Sequence, residues 1–295
     1  MKIELSGGIG NQLFQYSFGK HWERNHHVQV SYLLAPHGKD EEIHNSGLNN
    51  FLFEEDLIMT KRNRISASIA RIDRYMTRKI PFYREASIKF LYRYSQIGTG
   101  FDQEVTNFRK LKLVRGYFQS YQYPELSKHE LVSLFELKTT SKEYNDYEKQ
   151  AKQILPIMVH LRRGDYVKLS NSFGILGVDY YYNAIKFLLE SDPGSEVWIF
   201  SDDSLESSQM QSQLELMGIT DVKSGFTLSD SETLKLMSLG AGIVIANSTF
   251  SWWAAYLGNY SNKVVAPLKW YKSFPDPVGL IPKNWKQIES HWVTN

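Results

Sequence analysis

The stretch IMVHLRRGDY, Ile157–Tyr166, sets an apolar run against an abrupt polar end. Ile157–Leu161 fits a strand, and the charged residues then fall just beyond its carboxyl end. The pattern recurs downstream. Strands also fit Glu196–Phe200, Ile243–Ala246 and Lys263–Ala266, with a weaker one near Asp221–Lys223. Helices fit Tyr180–Glu190, Leu205–Met217, Ser231–Leu239 and Ser251–Leu257, and Ser229 with Glu232 three residues on makes a capping box. Strands alternating with helices predict a parallel sheet covered on both faces.

Upstream, Ile3–Leu5 begins a strand and Gly7-Gly8-Ile9-Gly10 makes a turn. Asn11 then opens a helix carrying Phe14, Phe18 and Trp22 at i, i+4 and i+8, before a strand over Val28–Leu34. Leu111–Phe118 reads as a strand, Pro124–Phe135 as a helix, and the polar stretch Lys138–Lys152 as a linker. The expectation is an α/β chain of two Rossmann-like domains, residues 1–150 and 151–295.

Composition narrows the function. The chain has 295 residues and no cysteine, which excludes disulfides and thiolate metal sites. Aromatics make up 14%, including 18 Tyr and 7 Trp, a composition suited to sugars because ring faces pack on pyranose C–H faces. No apolar run approaches the ~20 residues of a membrane span, and the start of the chain lacks a signal-peptide core, so a cytoplasmic protein is expected. The net charge of +2 hides a local asymmetry: from Lys61 to Arg93, ten basic residues face only Asp73 and Glu85.

Four polar clusters follow strands, where ligands bind in open α/β sheets. In the Gly8-Ile9-Gly10-Asn11-Gln12 loop, glycine lets an anion or sugar approach backbone N–H groups, or simply makes a tight turn. It lacks the third glycine of a dinucleotide fingerprint. In His160-Leu161-Arg162-Arg163-Gly164-Asp165, two adjacent guanidinium groups suit a diphosphate. Asp165 could orient an arginine, and His160 could be a core histidine. Ser201-Asp202-Asp203 could receive nucleoside hydroxyls or cap the next helix. Asn247, Ser248, Thr249 and Ser251 put hydroxyls at a helix start, ahead of Trp252 and Trp253. No Asp-x-Asp occurs, so a diphosphate-bound metal is not expected.

At these residues the sequence resembles glycosyltransferase family 11, the α-1,2-fucosyltransferases. The matching segments are GGIGNQLFQYSFGK (Gly7–Lys20), GYFQSYQYPE (Gly116–Glu125), HLRRGDY (His160–Tyr166), FSDD (Phe200–Asp203) and LMSLGAGIVIANSTFSWWAAYL (Leu236–Leu257). The resemblance implies a GT-B-like fold, two facing Rossmann-like domains with a cleft between them. It also implies GDP-β-L-fucose as donor, a terminal β-galactoside as acceptor, inversion at the anomeric carbon and no metal or other cofactor. The N-terminal domain would take the acceptor and the C-terminal one the GDP-sugar. Catalytic roles are expected of His160, Arg162, Arg163 and Asp165. Donor contacts are expected of Gly8, Gly10, Asn11, Gln12, Ser201, Asp202, Asp203, Asn247, Ser248, Thr249 and Ser251. The alternatives are an α-1,6- or protein O-fucosyltransferase, and a glycan- or nucleotide-binding module without turnover. No nucleic-acid-binding module is present.

The basic segment lies outside the resemblance. Ile65, Ile69, Ile72 and Met76 share one helix face, with arginines around the rest. It reads either as a packed domain helix or as a surface helix near anionic lipid, through residues 61–93, which would suit a lipid-linked acceptor made at the inner membrane face.

Overall fold

The computed structural model describes residues 1–34, 47–53, 57–58, 72, 75–77, 79–108, 110–164, 166, 169–260 and 262–293. They form two units. One holds residues 1–136 and 277–280, the other residues 137–276 and 281–295. The division thus falls at 136/137. The polar stretch expected to link the domains is instead the helix Lys142–Ile154 of the second unit, capped by the Ser141 hydroxyl, which accepts from the Tyr144 N–H. Its polar sequence hid it, because only Tyr144 and Ala151 of the helix are buried.

In the N-terminal unit four parallel strands, β1 (Lys2–Leu5), β2 (Ser31–Leu34), β3 (Arg93–Ser95) and β4 (Leu113–Arg115), stand in the order β2-β1-β4-β3. Helix α1 (Ile9–His26) follows β1, and its Phe14, Phe18 and Trp22 are buried as their spacing predicts. Phe18 stacks on Phe118 at 3.9 Å and meets Tyr123 edge-on. The helix opens two residues earlier than expected, because Gly8 serves as the extended N-cap after Gly7 turns the chain at φ +75°. The helix expected over Pro124–Phe135 is a 3₁₀ turn, Glu125–Ser127, followed by an α-helix over Lys128–Leu134. Ile65 and Ile69, on the face of the expected basic helix, lie outside the described residues. Ile72 is described and largely exposed.

In the C-terminal unit six parallel strands, β5 (Ile157–Leu161), β6 (Val197–Ser201), β7 (Val222–Lys223), β8 (Gly242–Val244), β9 (Val264–Pro267) and β10 (Lys286–Ile288), run in the order β10-β9-β8-β5-β6-β7. This is the doubly wound order, winding outward in both directions from the β5/β8 pair. All five residues of β5 are buried, as are four of five in β6. The helices Val178–Leu189, Ser204–Leu216, Asp230–Leu236 and Thr249–Leu257 match the expected ones within a few residues, and the Ser229–Glu232 capping box is formed. Val159, Leu161, Tyr180, Ile185, Ile199, Leu214 and Val244 share one buried cluster. Among the described residues no helix is long and apolar enough to cross a membrane.

Candidate functional site

The sheet delivers the C-terminal polar clusters to one place. Arg162 and Arg163 leave the carboxyl end of β5, and Asn247 follows β8, its neighbour across the point where the strand order reverses. Open α/β sheets form ligand crevices at that point. The Tyr166 hydroxyl donates to the Asn247 carbonyl at 3.0 Å and fastens the two loops together.

The arginines are held by acids from the next strand and helix. Arg162 Nη1 lies 2.7 Å from Asp202 Oδ2. The Arg163 backbone N–H donates to Asp202 Oδ1 at 2.9 Å, and its Nε donates to Glu206 Oε2 at 2.9 Å. The Arg163 side chain is buried while that of Arg162 is a quarter exposed. Gly164 is required here: its φ is +23°, and a Cβ would collide with the Asp202 carboxylate. Among the described residues, Asp202 and Glu206 orient the arginines, the role that the sequence suggested for Asp165. Asp165 itself lies outside the described residues.

Five of the expected donor contacts have structural duties. Asp203 caps the helix Ser204–Leu216, its Oδ1 accepting from the Glu206 N–H at 3.0 Å, and its own N–H is bonded to the Ser201 hydroxyl at 3.1 Å. Asn247 is 1% exposed, and its amide donates to the carbonyls of Phe173, Gly174 and Trp270. It ties loops together and presents no side-chain donor to solvent. Ser248 caps the helix Thr249–Leu257 by accepting from the Phe250 N–H, and the buried Ser251 hydroxyl donates back to the Ser248 carbonyl. Thr249 stays partly exposed at the helix start, where backbone N–H groups favour an anion.

His160 is buried in β5, beside the ring of Phe250, and its Nδ1 has no hydrogen-bond partner. Burial, then the Arg162 and Arg163 charges, push its pKa down to about 3. It therefore stays neutral near pH 7 and is too weak a base, and too enclosed, to collect a substrate proton. An unfolded histidine titrates near ~6.5, so the unfolded chain binds a proton that the folded chain refuses. The stability conferred by a neutral His160 should fall as pH drops from about 6.5 towards 3. Denaturation midpoints at about pH 7 and about pH 4.5 should differ less in His160→Leu than in the wild type. An equal gap in both would remove His160 from the acid limb.

The loop in the N-terminal unit is built from its own side chains. Gln12 donates to the Gly7 carbonyl at 3.0 Å and accepts from the Gly47 N–H at 2.9 Å, and Asn11 Oδ1 accepts from Gln119 at 2.8 Å. Gly10 is buried in the first helical turn, whereas Gly8 is exposed with open space where a Cβ would stand. Of the four residues expected to meet the donor here, Gly8 is the exposed one, although its carbonyl accepts from the Asn11 and Gln12 N–H groups.

The family model for Glycosyl transferase family 11 matches residues 1–289. The chain belongs to that family. It is 29% identical over 289 residues to the O-antigen biosynthesis glycosyltransferase WbnK of Escherichia coli, covering 90% of this chain and 93% of that protein. It is 28% identical over 304 residues to an alpha-1,2-colitosyltransferase of Escherichia coli, covering 97% of each. Among solved structures it resembles the fucosyltransferase NodZ from Bradyrhizobium, at a TM-score of 0.52 and 12% identity over 87% of this chain and 92% of that one. A crystal of NodZ alpha-1,6-fucosyltransferase soaked with GDP-fucose gives a TM-score of 0.51 at the same identity and coverage. The likeness to NodZ is one of fold, and it establishes the GT-B-like class for this family 11 glycosyltransferase.

Sequence reasoning missed Glu206, Tyr166 and Tyr181 in this family 11 site. Glu206 carried a signal, since Asp203-x-x-Glu206 has the spacing of a capping box. Its carboxylate turns to Arg163 instead of closing the box. Tyr181 is fully buried, its hydroxyl pushed up to about 12 chiefly by burial, with Arg163 opposing and Asp202 reinforcing the shift. Nothing in the local pattern separates it from an ordinary core tyrosine.

Proposed function

We propose that the chain is an inverting α-1,2-fucosyltransferase that moves L-fucose from GDP-β-L-fucose to a terminal β-galactoside during surface polysaccharide or O-antigen synthesis. One observation carries the donor assignment: two guanidinium groups, fixed by Asp202 and Glu206, stand at the strand-order reversal of the C-terminal sheet. In this reading the C-terminal unit binds the GDP-sugar and the N-terminal unit the acceptor. The acceptor hydroxyl attacks the fucose anomeric carbon as the bond from that carbon to the diphosphate breaks. GDP leaves with the electron pair, and the configuration inverts from β to α. Arg162, Arg163 and the N–H groups opening the helix Thr249–Leu257 neutralise the charge growing on GDP. With His160 too weak a base, Asp165 is our candidate for taking the acceptor proton.

Calorimetry tests the donor assignment. GDP and GDP-fucose should bind, and UDP-sugars should not. Equal binding of UDP- and GDP-sugars would remove the guanosine preference. A second reading, transfer of a 3-deoxy relative of fucose such as colitose, is favoured by the similarity to the alpha-1,2-colitosyltransferase. Competition between GDP-fucose and GDP-colitose for transfer separates the two.

We also propose that the arginines do the work a divalent cation does in other transferases. Among the described residues no three His, Asp or Glu side chains are grouped to hold a metal. Activity should survive excess EDTA. A complete loss restored by Mn²⁺ or Mg²⁺ would overturn this point.

Peripheral contact with anionic lipid is a further part of the proposal. Tyr75, Phe82 and Phe90 are between 64% and 79% exposed, within the segment whose excess basic charge complements such a surface. Salt-sensitive cosedimentation with phosphatidylserine vesicles is expected. Absence of binding even at low salt would end that reading.

A further inference from the structure

A cavity of about 450 Å³ lies within the N-terminal unit, over the carboxyl ends of β1, β4 and β3. It opens at the carboxyl ends of parallel strands, which is the end where open α/β sheets receive ligands. Its volume falls in the range of small-molecule sites, roughly 300–1,000 Å³.

The lining is chemically specific. Glu4 and Arg115 form an ion pair at 2.9 Å whose side chains are 4% and 8% exposed. Desolvation makes a buried pair a weak source of stability, so its place in a cavity wall calls for another reason. Four residues with aliphatic hydroxyls, Ser6, Thr77, Ser95 and Thr99, also line the space, and Tyr117 stands beside them with 37% of its surface exposed.

Two glutamines hold these groups in place. Gln15 accepts from the Ser6 N–H and donates to the Ser6 hydroxyl and the Gly116 carbonyl. Gln96 accepts from the N–H groups of Tyr117 and Phe118 and donates to the Gly100 carbonyl. The loops after all three strands are therefore tied together before any ligand arrives.

Arg115 is a single guanidinium buried against Glu4, unlike the adjacent Arg162 and Arg163 with Arg162 a quarter exposed, so a diphosphate is not the ligand this cavity favours. Hydroxyls with an ionic pair on one side and an aromatic ring at hand match a neutral ring bearing many hydroxyl groups. We infer that this cavity is a monosaccharide subsite that seats the neutral hexopyranose of the acceptor. The inference rests on the transferase reading given above and adds the residues that would recognise the sugar.

The test uses methyl β-D-galactopyranoside as probe, with Tyr117→Ala, Thr99→Val and the cavity-filling Ser95→Phe, each checked for an unchanged thermal midpoint. In turnover, KM for the galactoside should rise about tenfold in Tyr117→Ala and Thr99→Val, the scale of losing one or two sugar contacts, while KM for GDP-fucose holds. Saturation-transfer NMR reads the same site without any turnover: the galactoside signal should be present with wild type and lost with Ser95→Phe. That arm stands even if GDP-fucose is not the donor, so a failed donor assignment and a failed subsite are distinguishable. Galactoside KM unchanged in the folded variants, or NMR signals equal in wild type and Ser95→Phe, would overturn the subsite.

Discussion

Replacing Arg162 or Arg163 by alanine is expected to lower kcat by about 100-fold or more, the scale of removing one preorganised charge-stabilising donor. The two variants should differ in a second respect. Arg162 is a quarter exposed and answers to Asp202, so its loss should leave the thermal midpoint near that of the wild type. Arg163 is buried, and its backbone and side chain bind Asp202 and Glu206. Its loss empties a packed position as well as removing a charge, so Arg163→Ala should also unfold earlier. Steady-state kinetics with thermal melts of both variants check this. Near-wild-type turnover in both would remove the arginines from the reaction.

Asn247→Ala is expected to destabilise the C-terminal unit by about 2–4 kcal/mol, because two buried carbonyls and a part-buried one lose their donor at once. For a unit of this size the midpoint should fall by roughly 5–10 °C. Activity should fall with it, since Asn247 anchors the loop that Tyr166 ties to the arginine strand. Differential scanning calorimetry decides the role. An unchanged midpoint with a raised KM for the donor would return Asn247 to direct donor contact.

The C-terminal sheet was legible because its strands are short apolar runs punctuated by polar residues at their carboxyl ends. Ile157–Leu161 is found at the bounds its sequence suggests. The Ser229–Glu232 box is equally local and equally readable. Where several forces compete, the reading failed. The helix Lys142–Ile154 buries too little apolar surface to announce itself, and β3 and β10 are three-residue edge strands, too short to show a strand pattern in the sequence. The arginine pair was visible as chemistry, but its partners were not. Asp202 and Glu206 stand 39 and 43 residues from Arg163, and only the β5–β6 pairing brings them to it. Cavity lining by Glu4 and Arg115 was hidden for the same reason, since those residues are 111 apart and meet through neighbouring strands.

The assignment of donor, linkage and stereochemistry meets its most direct test in one product analysis. The purified protein is incubated with GDP-β-L-fucose and a panel of β-galactosides, and the product's linkage and anomeric configuration are read by NMR. The account predicts fucose joined through an α bond to O2 of the terminal galactose, with GDP released in equal amount. A product with a β bond, with linkage at another position, or formed only from a different nucleotide sugar would contradict it.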